Sequence, residues 1–264
     1  MPFTNNTSRR SVISDWLTER TSLTLDSCAD QYLWEGGRRF HFFREGRYHL
    51  PNDELQQQRE ELLHILVEDL LEHRLFLAPM SQPPTKVMDI ATGSGLWAIE
   101  MGDRYPESEI SGIDLSPIQP TLVPPNVSFQ VDDVEDTWVH DNDYDFIHIC
   151  ESVAYMRNSA DVTKSAFDHL KPGGYVDIQE FHWKALSEDG SDDPLNLVNI
   201  YIQQMSSAGA SEGLFIPRTP QLDTILSAAG FEDIQFEVFR VPWGGTWHPD
   251  PVARKRGAVL CMTA

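Results

Sequence analysis

The segment Val87-Met88-Asp89-Ile90-Ala91-Thr92-Gly93-Ser94-Gly95-Leu96-Trp97 limits the folds open to this chain more than any other. An apolar run carries an acid near its end, two glycines follow, and an apolar-periodic stretch begins at once. That order reads as strand, tight turn and helix start. Gly93 and Gly95 let backbone approach a ligand where a Cβ would collide. Free N–H groups at the helix start offer hydrogen bonds to an anionic or carboxylate group. In an open parallel sheet, ligands bind beyond the carboxyl ends of the strands at such a turn. The bland alternative is a tight turn with no ligand, and the acids further along the chain weigh against it.

From Lys86 onward short apolar runs alternate with helical stretches. Residues 86–90, 109–115, 127–131, 144–150 and 174–181 read as strands, 96–105 and 160–170 as helices, and Lys171-Pro172-Gly173-Gly174 as a turn. This alternation predicts an α/β fold: a Rossmann-like parallel sheet with helices on both faces. Helices at 194–205 and 220–229, the second stopped by Gly230, and a strand at 233–241 are expected to follow. Upstream, Asn52 or Asp53 caps a helix running to about His73. Its apolar face is Leu55, Leu62, Leu63, Leu66, Leu70 and Leu71, with Glu54, Glu60, Glu61, Glu68 and Glu72 solvated. Pro79, Pro83 and Pro84 form a linker. The division is residues 1–80 as an N-terminal extension and helical lid, frayed at its start, and residues 81–264 as the ligand-binding domain.

Three acids fall at successive strand ends. Asp89 precedes the glycines. Asp114 ends the second strand, where a carboxylate can accept both hydroxyls of a ribose. Asp133 follows the third, placed to accept from an exocyclic amine while Val134 packs on the base. Each acid alone is as well explained as a loop solubiliser or helix cap. A dinucleotide and S-adenosylmethionine both suit such a site. Gly93-Ser94-Gly95-Leu96-Trp97-Ala98 formally satisfies G-x-G-x-x-A, so a nicotinamide-dependent oxidoreductase is one alternative. Against it, the chain has no Tyr-x-x-x-Lys pair and no evident second partner for a pyrophosphate.

The strings Asp89-x-x-Thr92-Gly93-Ser94-Gly95, Asp114, Asp133-Val134, Tyr144-Asp145-Phe146-Ile147-His148 and Leu170-Lys171-Pro172-Gly173-Gly174 resemble, in order, the motifs of class I S-adenosylmethionine-dependent methyltransferases. The chain also resembles the fungal LaeA-like secondary-metabolism group. The strings that carry this are Phe40-His41-Phe42-Phe43-Arg44-Glu45-Gly46-Arg47-Tyr48, Leu50-Pro51-Asn52-Asp53, Gly112-Ile113-Asp114-Leu115-Ser116-Pro117-Ile118-Gln119-Pro120 and Val123-Pro124-Pro125-Asn126-Val127. The resemblance spans roughly residues 32–250. It implies S-adenosylmethionine as cofactor, with Ala91, Thr92, Gly93 and Gly95 at its methionine part and Asp114 with Leu115 at the ribose and adenine edge. Asp133 with Val134 then meets the base, Cys150 lies beside the sulfonium, and Glu151 faces the acceptor. It further implies a small-molecule acceptor or, in regulatory relatives, a velvet-type protein partner, and a cytoplasmic location that extends to the nucleus for such regulators.

Methyl transfer from a sulfonium is an in-line displacement, so alignment and exclusion of water are the protein's main tasks. A base is needed only for a hydroxyl or protonated amine, and Glu151, Glu180 and His182 are the candidates, His182 being the catalytic one. A surface-loop histidine between Phe181 and Trp183 is its competing reading. His148, inside a strand, reads as a hydrogen-bonded core histidine. No metal site is expected, since the histidines lack ligand spacing.

Charge narrows the partners. Lys and Arg number 20 against 41 Asp and Glu, a formal charge of −21, which argues against direct nucleic-acid binding or docking on anionic lipid. No apolar run is long enough to span a membrane. Three scattered cysteines, Cys28, Cys150 and Cys261, point to a reducing compartment. The aromatic–arginine stretch 32–48 reads as a lid whose arginines pair with core acids. The C-terminus departs from the family: either 258–263 is a shortened last strand, or that strand is missing and 234–239 lacks a neighbour. The expected activity is methylation of an oxygen or nitrogen of a small fungal metabolite, with a partner-dependent regulator as the alternative.

Overall fold

The computed structural model describes residues 23–24, 32–139, 143–182, 184–186, 197–211, 219–244 and 247–263. Cys28, Trp183 and the expected start of a helix at residue 194 lie outside them. The elements are β1 (Leu23–Thr24), β2 (Tyr32–Glu35), β3 (Arg38–His41), α1 (Glu54–Leu70), β4 (Lys86–Ile90), α2 (Leu96–Arg104), β5 (Glu109–Asp114), β6 (Val127–Val131), β7 (Tyr144–Cys150), a 3-10 turn at Val153–Tyr155, α3 (Ser159–His169), β8 (Leu170–Gln179), α4 (Leu197–Ser211), α5 (Thr219–Ala229) and α6 (Pro251–Thr263).

The main sheet runs β1-β6-β5-β4-β7-β8. Its five strands from β6 to β8 are mutually parallel, and β1 adds an antiparallel edge on β6. Central β4 (Lys-Val-Met-Asp-Ile) is buried from its second residue to its end, as a strand covered on both faces must be. Side chains alternate between two apolar layers. Met88, Ile90, Ile147 and Ile149 pack with Val162 and Ala166 of α3, and Leu222 of α5 lies against them. Val87 and Phe146 pack on the opposite face with Trp97, Ala98 and Met101 of α2. This period of two sends Asp89, His148 and Cys150 to the α2 face, toward the carboxyl end of the sheet.

Asp53 caps α1 by accepting from Gln56 N and also pairs with Arg38, which joins the β2–β3 hairpin to the helix. The buried stripe of α1 is Gln56, Leu63 and Leu66, whereas Leu55, expected on the apolar face, is exposed. At the other end, Arg256 of α6 holds Asp69, and the Arg59 Nε donates to the Thr263 carbonyl at 2.6 Å.

Three expectations are corrected. Residues 171–174 are not a turn before a strand but an outward bulge inside β8, where the register jumps between Leu170↔Tyr144 and Tyr175↔Phe146. Residues 233–241 form no strand: their alternating Ile234, Phe236 and Val238 have no neighbour among the described residues to supply ladder bonds, and Phe236 and Val238 stay exposed. Residues 258–263 are helical, part of α6, so the shortened last strand does not occur. Of the two expected endings the missing last strand is the one found among the described residues, with 234–239 left without a neighbour and not a strand itself. Gly257 and Leu260 are buried within α6, which packs along α1.

Because Asp53 closes α1 and anchors the hairpin, Asp53→Ala is expected to cost about 1 kcal/mol for the cap alone. Urea unfolding would read this, and an unchanged midpoint would show that the cap contributes nothing.

Candidate functional site

A cleft opens at the carboxyl ends of β4, β5, β6 and β7. Two of these strands leave the sheet through left-handed residues that are not glycine: Ala91 after β4 at φ +55 and Glu151 after β7 at φ +48. Such strain persists only where surrounding structure enforces it, and functional sites are where it gathers. At Ala91 the enforcement is visible. Thr92 N donates to Ile113 O at 3.0 Å, and the Thr92 hydroxyl donates to Asp89 Oδ2 at 2.5 Å. The other oxygen of Asp89 lies 2.8 Å from His148 Nδ1. The His148 ring stacks on the Trp97 indole, with centroids 3.8 Å apart and planes 2° from parallel.

The glycines differ in what they satisfy. Gly93 takes φ +57, a left-handed conformation that favours glycine, and a Cβ there would also crowd Glu60 Oε2 at 3.2 Å. Gly95 does not line the cleft. A Cβ there would lie 2.5 Å from the Phe129 ring, and its φ is +81, so it serves helix–sheet packing rather than ligand approach.

Asp89, Ala91, Thr92, Gly93, Asp114, Leu115, Asp133, Val134, Cys150 and Glu151 all line the cleft. Asp114 accepts from Gly93 N at 2.9 Å and from Ser116 N at 2.8 Å, which ties the β5 end to the glycine turn. Asp133 is held by Arg47 Nε at 2.7 Å, and neighbouring Arg44 pairs with Asp136. His182 lies elsewhere, exposed on the stretch after β8 and not on the cleft wall. Glu180 is absent from the wall as well: its carboxylate accepts from Val153 N at 2.6 Å and holds the 3-10 turn.

Several wall residues escaped the sequence reading. Arg59, Glu60 and His64 of α1 face the cleft, as do Trp97, His148 and Tyr155. Glu60, expected to be solvated, accepts from Gln56 Nε2 at 3.0 Å on the inward stripe of α1. Its position three residues before Leu63 was the available signal. His148 is the hydrogen-bonded core histidine expected, fully buried with its Nδ1 on Asp89; among the described residues its Nε2 has no hydrogen-bond partner, and neither has the buried Ser152 Oγ.

Electrostatically the wall favours a cationic guest. Desolvation, reinforced by Glu180 and opposed by Arg59, raises the Glu151 carboxyl to about 8. Desolvation likewise lifts Glu60 to about 7 and Asp114 to about 6 on the wall, and Glu180, off the wall beside the 3-10 turn, to about 7. A positive charge placed among them would favour their ionised forms. Acids for hydroxyls and an amine, a bare backbone at Gly93 and unpartnered buried polar atoms together fit a cationic nucleoside.

These four carboxyls keep protons in the folded chain at a pH where the unfolded chain has released them. The native state then binds more protons, so stability falls as pH rises. The thermal midpoint should drop between about pH 5 and about pH 8, and Glu151→Gln should flatten that slope. A midpoint that climbs across this window would contradict the assignment.

Comparison with known proteins agrees with this geometry. A family described as "Methyltransferase domain" matches residues 56–235, more than half of the chain. Methyltransferase pytC of Aspergillus terreus is 35% identical over 244 residues, covering 92% of this chain and 75% of that protein. Secondary metabolism regulator LAE1 of Cochliobolus heterostrophus is 34% identical over 82% of this chain and 72% of its own length. Secondary metabolism regulator laeA of Emericella nidulans is 32% identical, over 86% of this chain and 61% of that one. Among the described residues no helix is long and apolar enough to cross a membrane. Sheet order, glycine turn and relatives thus converge, and the chain belongs to the class I S-adenosylmethionine-dependent methyltransferases, with fungal pytC and LaeA among its kin.

Proposed function

We propose that this methyltransferase acts on an oxygen or nitrogen of a small secondary metabolite, and that Glu151 takes the acceptor's proton. The observation that carries this reading is Glu151 itself, held at φ +48 on the cleft wall with its carboxyl pushed up to about 8. The donor supplies a methyl group already activated on a positively charged sulfur. Glu151 holds its proton in the empty cleft and ionises when a cation lies beside it. It is then placed to accept a proton from O–H or N–H as that positive charge disappears. Asp114 with Leu115 serves the ribose, Asp133 with Val134 the base, and the turn from Ala91 to Gly93 with Cys150 the methionine end. Gly95 supports that turn through its packing on Phe129.

Residues 1–80 act as the lid in this reading and 81–264 as the donor-binding domain. Supporting it, Arg44 and Arg47 reach Asp136 and Asp133 beyond β6, and Tyr48, Arg59 and Glu60 contribute to the wall. Tyr48 meets Tyr155 edge to face at 5.2 Å, which closes the cleft between lid and core and sheds water from it. A second reading, regulation through a velvet-type protein partner, draws on the similarity to LAE1 and laeA.

Transfer of labelled methyl to a panel of hydroxyl- and amine-bearing metabolites tests the main reading. Glu151→Gln is expected to lower kcat by about 100-fold or more while leaving affinity for S-adenosylhomocysteine within a few-fold. Full turnover by that variant would remove Glu151 from the chemistry. No product from any metabolite, together with co-purification of a velvet-type protein, would favour the regulator. For the lid, Arg47→Ala leaves Asp133 and Glu135 without their cation and should weaken S-adenosylhomocysteine binding several-fold in calorimetry. Unchanged affinity would reject the lid.

A further inference from the structure

The nitrogen left over on His148 is the strongest unassigned feature of the cleft. His148 has no solvent exposure, lies on the wall, and its Nε2 finds no partner among the described residues. Beside the Asp89 carboxylate, Nδ1 carries the proton in the neutral ring, so Nε2 presents a lone pair. A core role explains the Nδ1 bond. It does not explain why a ring fixed by Asp89 at its edge and by Trp97 on its face keeps a buried acceptor unused.

Strand order indicates what that acceptor is for. Asp133 follows β6 and Asp114 ends β5. The glycine turn then follows β4, and His148 lies on β7, in register with Asp89 of β4. A donor with its base at Asp133 and its ribose at Asp114 has its remaining end over β4 and β7. That end is an amino acid, bearing one carboxylate and one ammonium. A lone-pair nitrogen accepts from the ammonium and gains nothing from the carboxylate. Glu60, whose carboxylate overlies Gly93, adds negative charge on the same wall.

We propose that Nε2 of His148 receives a hydrogen bond, directly or through one water, from the ammonium at the amino-acid end of S-adenosylmethionine. His148 is thereby a positioning residue for the donor, set in its tautomer by Asp89 and in its plane by Trp97. The proposal rests on the donor orientation given above and adds a residue to it.

Two ligands separate this role from a structural one. S-adenosylhomocysteine carries the amino-acid end, whereas methylthioadenosine keeps base, ribose and thioether but lacks that end. In calorimetry His148→Phe, which retains a ring to stack on Trp97, is expected to weaken S-adenosylhomocysteine by about tenfold or more and leave methylthioadenosine unchanged. Equal loss for both ligands, or none for either, overturns the proposal. Nitrogen NMR on the unaltered protein supplies a second measurement that does not depend on how the variant folds. The Nε2 resonance of His148 should shift with S-adenosylhomocysteine and stay put with methylthioadenosine. Binding of S-adenosylhomocysteine with an unmoved resonance sinks the role of His148 alone. Binding of neither ligand to the unaltered protein sinks the donor reading and this inference with it.

Discussion

One carboxylate organises the centre of this molecule. Asp89 sits next to last in the central strand, 2% exposed, and divides its oxygens between the Thr92 hydroxyl and His148 Nδ1. The first bond bends the chain into the turn that Gly93 and Ala91 complete. The second locks β4 to β7 through side chains as well as backbone. A buried carboxylate is costly unless its oxygens are occupied, so sequence and geometry are coupled here: remove either partner and the turn loses its reason to hold its shape. The left-handed Ala91, the register with His148 and the stack on Trp97 all descend from that arrangement.

The parallel core was legible because its signal is local. Strands 86–90 and 144–150 fall where their apolar runs put them, since a strand covered on both faces has to be apolar along its length, and 127–131 falls where its alternation of apolar and polar residues puts it, with Ser128 and Gln130 exposed. The chain past β8 was not legible, because periodicity reports what a segment could do and not whether a neighbour exists. Residues 233–241 alternate like a strand and have nothing to pair with, while α6 has weak amphipathic character and is a helix because α1 offers Asp69 and Arg59 as anchors. The acids at the strand ends were legible in the site for the same reason as the strands. Glu60 was misjudged and the unused Nε2 of the core histidine His148 was not foreseen, because a residue's polarity says nothing about which of its atoms is left without a partner.

Against a formal charge of −21, a handful of arginines stand beside the acids around the cleft and the cap of α1. Arg44 and Arg47 meet acids beyond β6, Arg38 meets the helix cap, and Arg59 stands among Glu60 and Glu151. Arg44 and Arg47, upstream of α1, thereby tie the stretch before that helix to the acids beyond β6. The cleft wall itself keeps its acids, poised by desolvation to respond to a cation.

The bond from Arg59 to the carbonyl of Thr263 joins residues 204 positions apart and has an evolutionary corollary. A backbone carbonyl is indifferent to the side chain above it, so drift in sequence near residue 263 leaves the tether intact, whereas drift in length does not. Homologues that gain or lose a turn of α6 would redirect the guanidinium that flanks Glu60 and Glu151. A change in the length of α6 would thus reach the cleft wall through a single backbone contact.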